Sequence, residues 1–171
     1  MTSRQKKAAL SVTVPALCAA LLFAQQIALQ ALPNIELVSL LVIVFTLAFK
    51  LRVLYIIYVF ALLEGLYFGF NLWWWIPYLY VWTLLALISH LMRAMKSPVG
   101  WAALSGTFGL AFGALCALPH LVTGGPAFAL SYWVSGIPFD LVHCVSNFMV
   151  CLLLFKPLTR FMEFAVRRTY G

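Results

Sequence analysis

Apolar residues run along this chain in six long stretches, and the polar residues gather in the gaps between them. None of the stretches shows the two-residue alternation of a half-buried strand, so each predicts a helix. The first covers residues 8–30; Pro33 and Asn34 end it and cap the next, whose first turn holds Glu36. The second, over 35–49, stops at Lys50 and Arg52. The third covers 53–70 and leads into Asn71, Leu72 and three tryptophans, Trp73, Trp74 and Trp75, a group suited to a membrane interface. Pro77 opens the fourth, over 77–92, which ends before Arg93 and Lys96. The fifth covers 99–118, and Pro119, Gly124, Gly125 and Pro126 make the loop after it. The sixth is expected over 129–155, bent or unwound around Gly136 and Pro138 because proline removes a backbone donor inside a helix. A basic tail, 156–171, closes the chain.

Composition turns these helices into membrane spans. The 171 residues are 65% hydrophobic and 9% charged, too apolar for a soluble domain of that size. A span takes about 20 helical residues, which leaves no room for a soluble catalytic domain. Arg4, Lys6 and Lys7 before an apolar run resemble the start of a signal peptide, but Pro15 interrupts that run and further spans follow, which favours a retained helix. Alternating the spans puts all eleven Lys and Arg residues at the termini or after the second and fourth helices. The positive-inside rule makes those regions cytoplasmic. The expected fold is an all-α membrane protein, a six-transmembrane-helix bundle in one integral domain with both termini cytoplasmic. The net charge of +7 marks topology and not nucleic-acid binding, since the cations form no stripe interleaved with aromatics.

Four acidic residues are present, and this topology puts Glu163 inside and Glu36, Glu64 and Asp140 in the outer half. A carboxylate within a span is expensive unless it faces a cavity or a partner, which singles out Glu64 and Asp140. Asp140, His143 and Asn147 follow one another at helical spacing and share a face. Adding aromatics and polar groups of similar depth gives the candidate substrate-binding set Glu64, Asn71, Trp75, Tyr78, His120, Trp133, Asp140, His143 and Asn147. Flat walls with several hydrogen-bonding groups suit an aromatic ring bearing an amino or cationic group. No nucleophile motif, HExxH or phosphate-binding GxxxxGK[ST] accompanies them, so neither an enzyme nor a cofactor is expected. Cys18, Cys116, Cys144 and Cys151 show no CxxC pair and no metal-ligand spacing, and read as packing residues.

Small residues recur at four-residue intervals: Ala16, Ala20, Ala24 and Ala28 in the first helix, Ser105, Gly109, Gly113 and Ala117 in the fifth, and Gly65 with Gly69 in the third. Such ladders allow close backbone approach, either within the bundle or to a partner.

Six short helices, the Ala16-x-x-x-Ala20 first helix, the Pro33-Asn34-Ile35-Glu36 turn and the run from Gly136 to Asn147 together resemble the substrate-binding S component of energy-coupling factor transporters. The resemblance covers nearly the whole chain. It implies a multi-pass protein of a prokaryotic plasma membrane that captures a vitamin or related micronutrient in an outward-facing pocket. It also implies docking through Ala16, Ala20 and Ala24 on a transmembrane coupling subunit with two ABC ATPases, and toppling in the bilayer to deliver the ligand. The stretch from His120 through Trp133 to Asn147 is similar to the ligand-contacting end of thiamin-specific members. Those members carry a Glu-Tyr pair where this chain has Pro77-Tyr78, so thiamin itself would need Glu64 or Asp140 to supply the missing carboxylate. The expected ligand is therefore a related amine-bearing or cationic heterocycle. A cell-shape membrane protein of the MreD type is the competing reading, and it would need no ligand.

Overall fold

A computed structural model of the chain describes residues 3–32 and 34–170, with the side chains of Ser3, Arg4, Lys6, Lys7, Ala8 and Tyr170 outside the described set. Pro33, expected to end the first helix, also lies outside it. The elements are α1 (Ser3–Leu29), α2 (Val38–Phe49), a 3-10 turn (Lys50–Arg52), α3 (Val53–Phe68), α4 (Trp75–Leu91), α5 (Pro98–Cys116) and α6 (Leu118–Tyr170). Among the described residues, four helical stretches are long and apolar enough to cross a bilayer: Ala9–Leu29, Val38–Phe68, Pro98–Cys116 and Leu118–Thr169. Helix α4 is apolar but shorter. The 31-residue stretch Val38–Phe68 holds α2 and α3, divided by the 3-10 turn.

Helix α2 is the centre of the bundle. Its residues Val38 through Thr46 are all buried, so it presents no outward face, and α1, α3, α4, α5 and α6 all pack on it. A helix apolar all round must be enclosed in this way or lie in lipid. The other helices are inverted relative to a water-soluble fold. Leu91 is 79% exposed, Tyr55 72% and Leu153 67%, whereas Glu64, Asn147, His143 and Asp140 are 1–5% exposed. Apolar outside and polar inside is the arrangement that lipid selects, because only the interior offers polar groups a partner.

Local chemistry explains where elements stop. Asn34 takes φ 59°, a left-handed conformation that asparagine tolerates, in the turn between α1 and α2. The Gln25 side chain accepts from the Leu37 amide at 2.9 Å and pins that turn back onto α1. Gly69, at φ 88°, terminates α3. Asn71 Oδ1 accepts from the Trp73 amide at 2.7 Å, and its carbonyl accepts from Trp75, so α4 begins at Trp75, two residues before Pro77. Ser97 caps α5, with Pro98 in the first helical position.

The last helix corrects the expectation for residues 129–171. The loop expected at Pro119, Gly124, Gly125 and Pro126, and the unwinding expected around Gly136 and Pro138, give way to a helical stretch whose single non-helical residue is Gly125, at φ 78° and ψ 179°. Glycine adopts that conformation without penalty, and Pro126 after it occupies a first helical position, where its missing N–H has no intrahelical acceptor. From there the helix continues through Pro138 and Pro157 to Tyr170, so the described part of the basic tail, 156–170, is the end of the same helix.

Candidate functional site

Four polar side chains, from the α1–α2 turn, the first turn of α2 and α6, meet where the turn crosses α6. Glu36 lies just before α2, and its carboxylate accepts from the Ser39 amide at 3.0 Å and from the Ser39 hydroxyl at 2.6 Å. The His143 ring lies with Nε2 3.2 Å from Glu36 Oε1. Asn147, one helical turn along α6, donates to Ser39 Oγ at 3.0 Å. Ser146 on the same helix donates to the Asn34 carbonyl at 2.7 Å, fixing the turn against α6. Burial alone would raise the Glu36 pKa, but the His143 ring and the two Ser39 donors outweigh it and hold the carboxyl below its ordinary range.

Glu36 and His143 face a cavity of about 160 Å³ that Gln26, Tyr78, Trp82 and Phe112 also bound. The Tyr78 hydroxyl accepts from Gln26 at 3.3 Å, and its ring packs edge-on against Trp82. Phe112 stands against the His143 ring, centroids 5.0 Å apart. Trp82 Nε1 and His143 Nδ1 are buried with no hydrogen-bond partner among the described residues.

A second cavity of about 420 Å³ lies on the other side of Phe112 and Asn34, which line both. Gly113, Tyr132, Ser135 and Asp140 complete its polar wall. Asp140 Oδ1 accepts from the Gly113 amide at 3.0 Å, while Oδ2 is buried without a partner. The carboxylate reaches the α5 backbone because residue 113 lacks a side chain; a Cβ there would collide with it. Gly109 likewise admits the His143 carbonyl and Gly106 the Cys144 carbonyl, so the small-residue ladder of α5 is packing against α6.

The expected site residues therefore divide. Tyr78 and His143 line the first cavity, Asn147 supports it through Ser39, and Asp140 lines the second. Glu64 is fully buried on α3 and lines neither cavity. Asn71 is the turn residue before α4, and Trp75 donates to the Ala61 carbonyl at 2.7 Å, tying α4 to α3. His120 lines neither cavity but is stacked at 3.9 Å on Tyr132, which lines the second, and is tilted against Trp73 at 4.5 Å. Trp133 faces away, over a shallow apolar hollow with Ala117, Leu121 and Ala129. Ala16, Ala20, Ala24 and Ala28 are all exposed, so the bundle leaves that face of α1 largely uncovered.

Glu36, Ser39 and Phe112 join the site without having been singled out for it, and Trp82, expected among its aromatic walls, lines the first cavity. The available signal was Glu36 followed by Ser39 at the start of an apolar run, a spacing that reads as helix capping. No protein-family model, curated protein or solved structure matches this chain.

Proposed function

We propose that this chain is the substrate-binding S component of an energy-coupling factor transporter, crossing a prokaryotic plasma membrane six times with both termini in the cytoplasm. The observation that carries the reading is the buried network Glu36–Ser39–His143–Asn147 beside two adjoining cavities. A scaffold has no use for a desolvated Glu36–His143 pair at the wall of an empty volume, propped by Ser39 and Asn147, and apolar residues would stabilise the same helices at lower cost. Small-molecule sites occupy about 300–1,000 Å³, a range that the larger cavity meets and the smaller extends.

The ligand is a micronutrient with an aromatic ring and an amine or cationic group. Its ring lies between Phe112 and Tyr132, and its cation answers the free Asp140 oxygen, with Glu36 at the far end. Of the two carboxylates expected to stand in for the missing glutamate before Tyr78, Asp140 adjoins a cavity and Glu64 does not, so the proposal passes from Glu64 to Asp140 and Glu36. The outward alanine face of α1 supports docking on a transmembrane coupling subunit, with ATP hydrolysis in two associated ABC ATPases. Toppling of the chain then presents the cavities to the cytoplasm.

The test is a titration of the purified chain with amine-bearing heterocyclic vitamins, thiamin among them, read by tryptophan fluorescence. Saturable quenching that is lost in Asp140→Asn supports the proposal. The absence of any saturable ligand, with the chain folded, favours the scaffold reading.

A further inference from the structure

At the opposite end of the bundle, a cavity of about 430 Å³ opens where α2, the α4–α5 connection, the start of α5 and the late part of α6 converge. Lys50, Arg93 and Lys96 line it, against a single carboxylate, Glu163, so its charged groups sum to 3 − 1 = +2. Among the described residues Glu163 makes no ion pair with any of them. The back wall is apolar: Trp101 and Phe155 stack with centroids 5.7 Å apart, flanked by Met95 and Met162.

Two features distinguish this from cations that only report topology. Loop cations that set orientation need no common target, yet these three come from two separate connections and border one volume. Lys50 also occupies a backbone position, φ 55° and ψ −141°, that glycine would adopt with less strain. Its side chain borders the cavity, and Arg93 is held at the rim by donating to the His90 carbonyl at 3.0 Å.

We propose that this cavity binds an anionic phospholipid of the leaflet at the basic end. The phosphate sits among Lys50, Arg93 and Lys96, and an acyl chain lies along Trp101, Phe155 and Met162. A free phosphate has the same charge chemistry but makes no use of the aromatic and thioether wall; a zwitterionic lipid uses the wall but not the excess charge. Basic pockets between membrane helices favour anionic headgroups for this reason.

The test uses the full chain in neutral detergent, titrated with phosphatidylglycerol carrying brominated acyl chains, which quench tryptophan on contact. Saturable quenching is expected, at lower concentration than with brominated phosphatidylcholine, and much of it should vanish in Trp101→Phe. Lys96→Gln should raise the half-quenching concentration about fivefold, the effect of one cation at an anionic lipid surface, and Glu163→Gln should lower it. Both residues are exposed, so neither substitution threatens folding. Equal quenching by the two lipids, or indifference to both charge substitutions, overturns the proposal. Displacement of the lipid by equimolar inorganic phosphate also overturns it, in favour of a free-anion site.

Discussion

His143 Nε2 lies 3.2 Å from Glu36 Oε1, joining two residues 107 positions apart in the chain. That contact fastens the turn before α2 to the middle of α6 and sets the polar wall of the first cavity. It also makes the two ends of the sequence interdependent, because Ser39 and Asn147 continue the same network.

Removing the charge at Glu36 tests the network. Glu36→Gln keeps the shape but weakens hydrogen bonds to an ionised group, each worth about 1.5–3 kcal/mol. Thermal unfolding in detergent should shift down by several degrees, and ligand affinity should fall by roughly tenfold or more, the equivalent of about 1.4 kcal/mol. Glu64→Gln, at a residue outside both cavities, should leave affinity unchanged in the same titration.

The direction of the Glu36 shift fixes a pH dependence. Its folded-state pKa lies below the unfolded value, so its contribution to stability is complete above the ordinary glutamate range of about 4.3 and is lost as pH falls through the folded-state value. Unfolding temperature measured from neutral to acidic pH should decline for the wild type in that window. The decline should be shallower in Glu36→Gln, which has no proton to gain there.

Gly109, on α5 against α6, and Gly136, on the open side of α6, should respond oppositely to alanine. At Gly109 a Cβ would lie 2.7 Å from the His143 carbonyl oxygen, which is backbone and cannot swing aside, so Gly109→Ala should destabilise by about 1–3 kcal/mol. At Gly136 a Cβ meets nothing within 4 Å, so Gly136→Ala should be neutral or stabilise by up to about 1 kcal/mol through helix propensity. Unfolding midpoints of the two variants check both.

What could be read from the sequence follows from what is local. The spacing of Asp140, His143 and Asn147 predicts a common face, and all three are buried together with Cys151 and Phe155 on the inner side of α6. The stop at Lys50 and Arg52 is equally local. Glu36 escaped notice as a site residue because its bond to Ser39 looks like a helix cap, and only folding brings His143 to it. His120 and Trp133 were grouped with His143 by expected depth in the membrane, but Trp133 faces an apolar hollow and His120 stacks on Tyr132 without itself lining either cavity. The break at Gly125 and Pro126 was legible as part of the expected loop, but that loop shrinks to the single non-helical residue Gly125, and the further unwinding expected around Gly136 and Pro138 does not occur.

The exposed alanine face of α1 predicts a separation of functions. Ala20→Trp fills a surface that the chain itself leaves uncovered, so folding and ligand binding should be retained. Uptake by cells that also supply the coupling subunit and ATPases should be abolished. Loss of ligand binding in this variant would assign the ladder to the interior instead.

The most direct measurement is mass spectrometry of small molecules released from the purified, denatured chain, compared between wild type and a Glu36→Gln, Asp140→Asn double variant. A single amine-bearing heterocycle, near stoichiometric in the wild type and absent from the folded variant, is the predicted result. Wild-type protein that is folded and releases no such molecule, and that gains none after incubation with a vitamin mixture, would contradict the account.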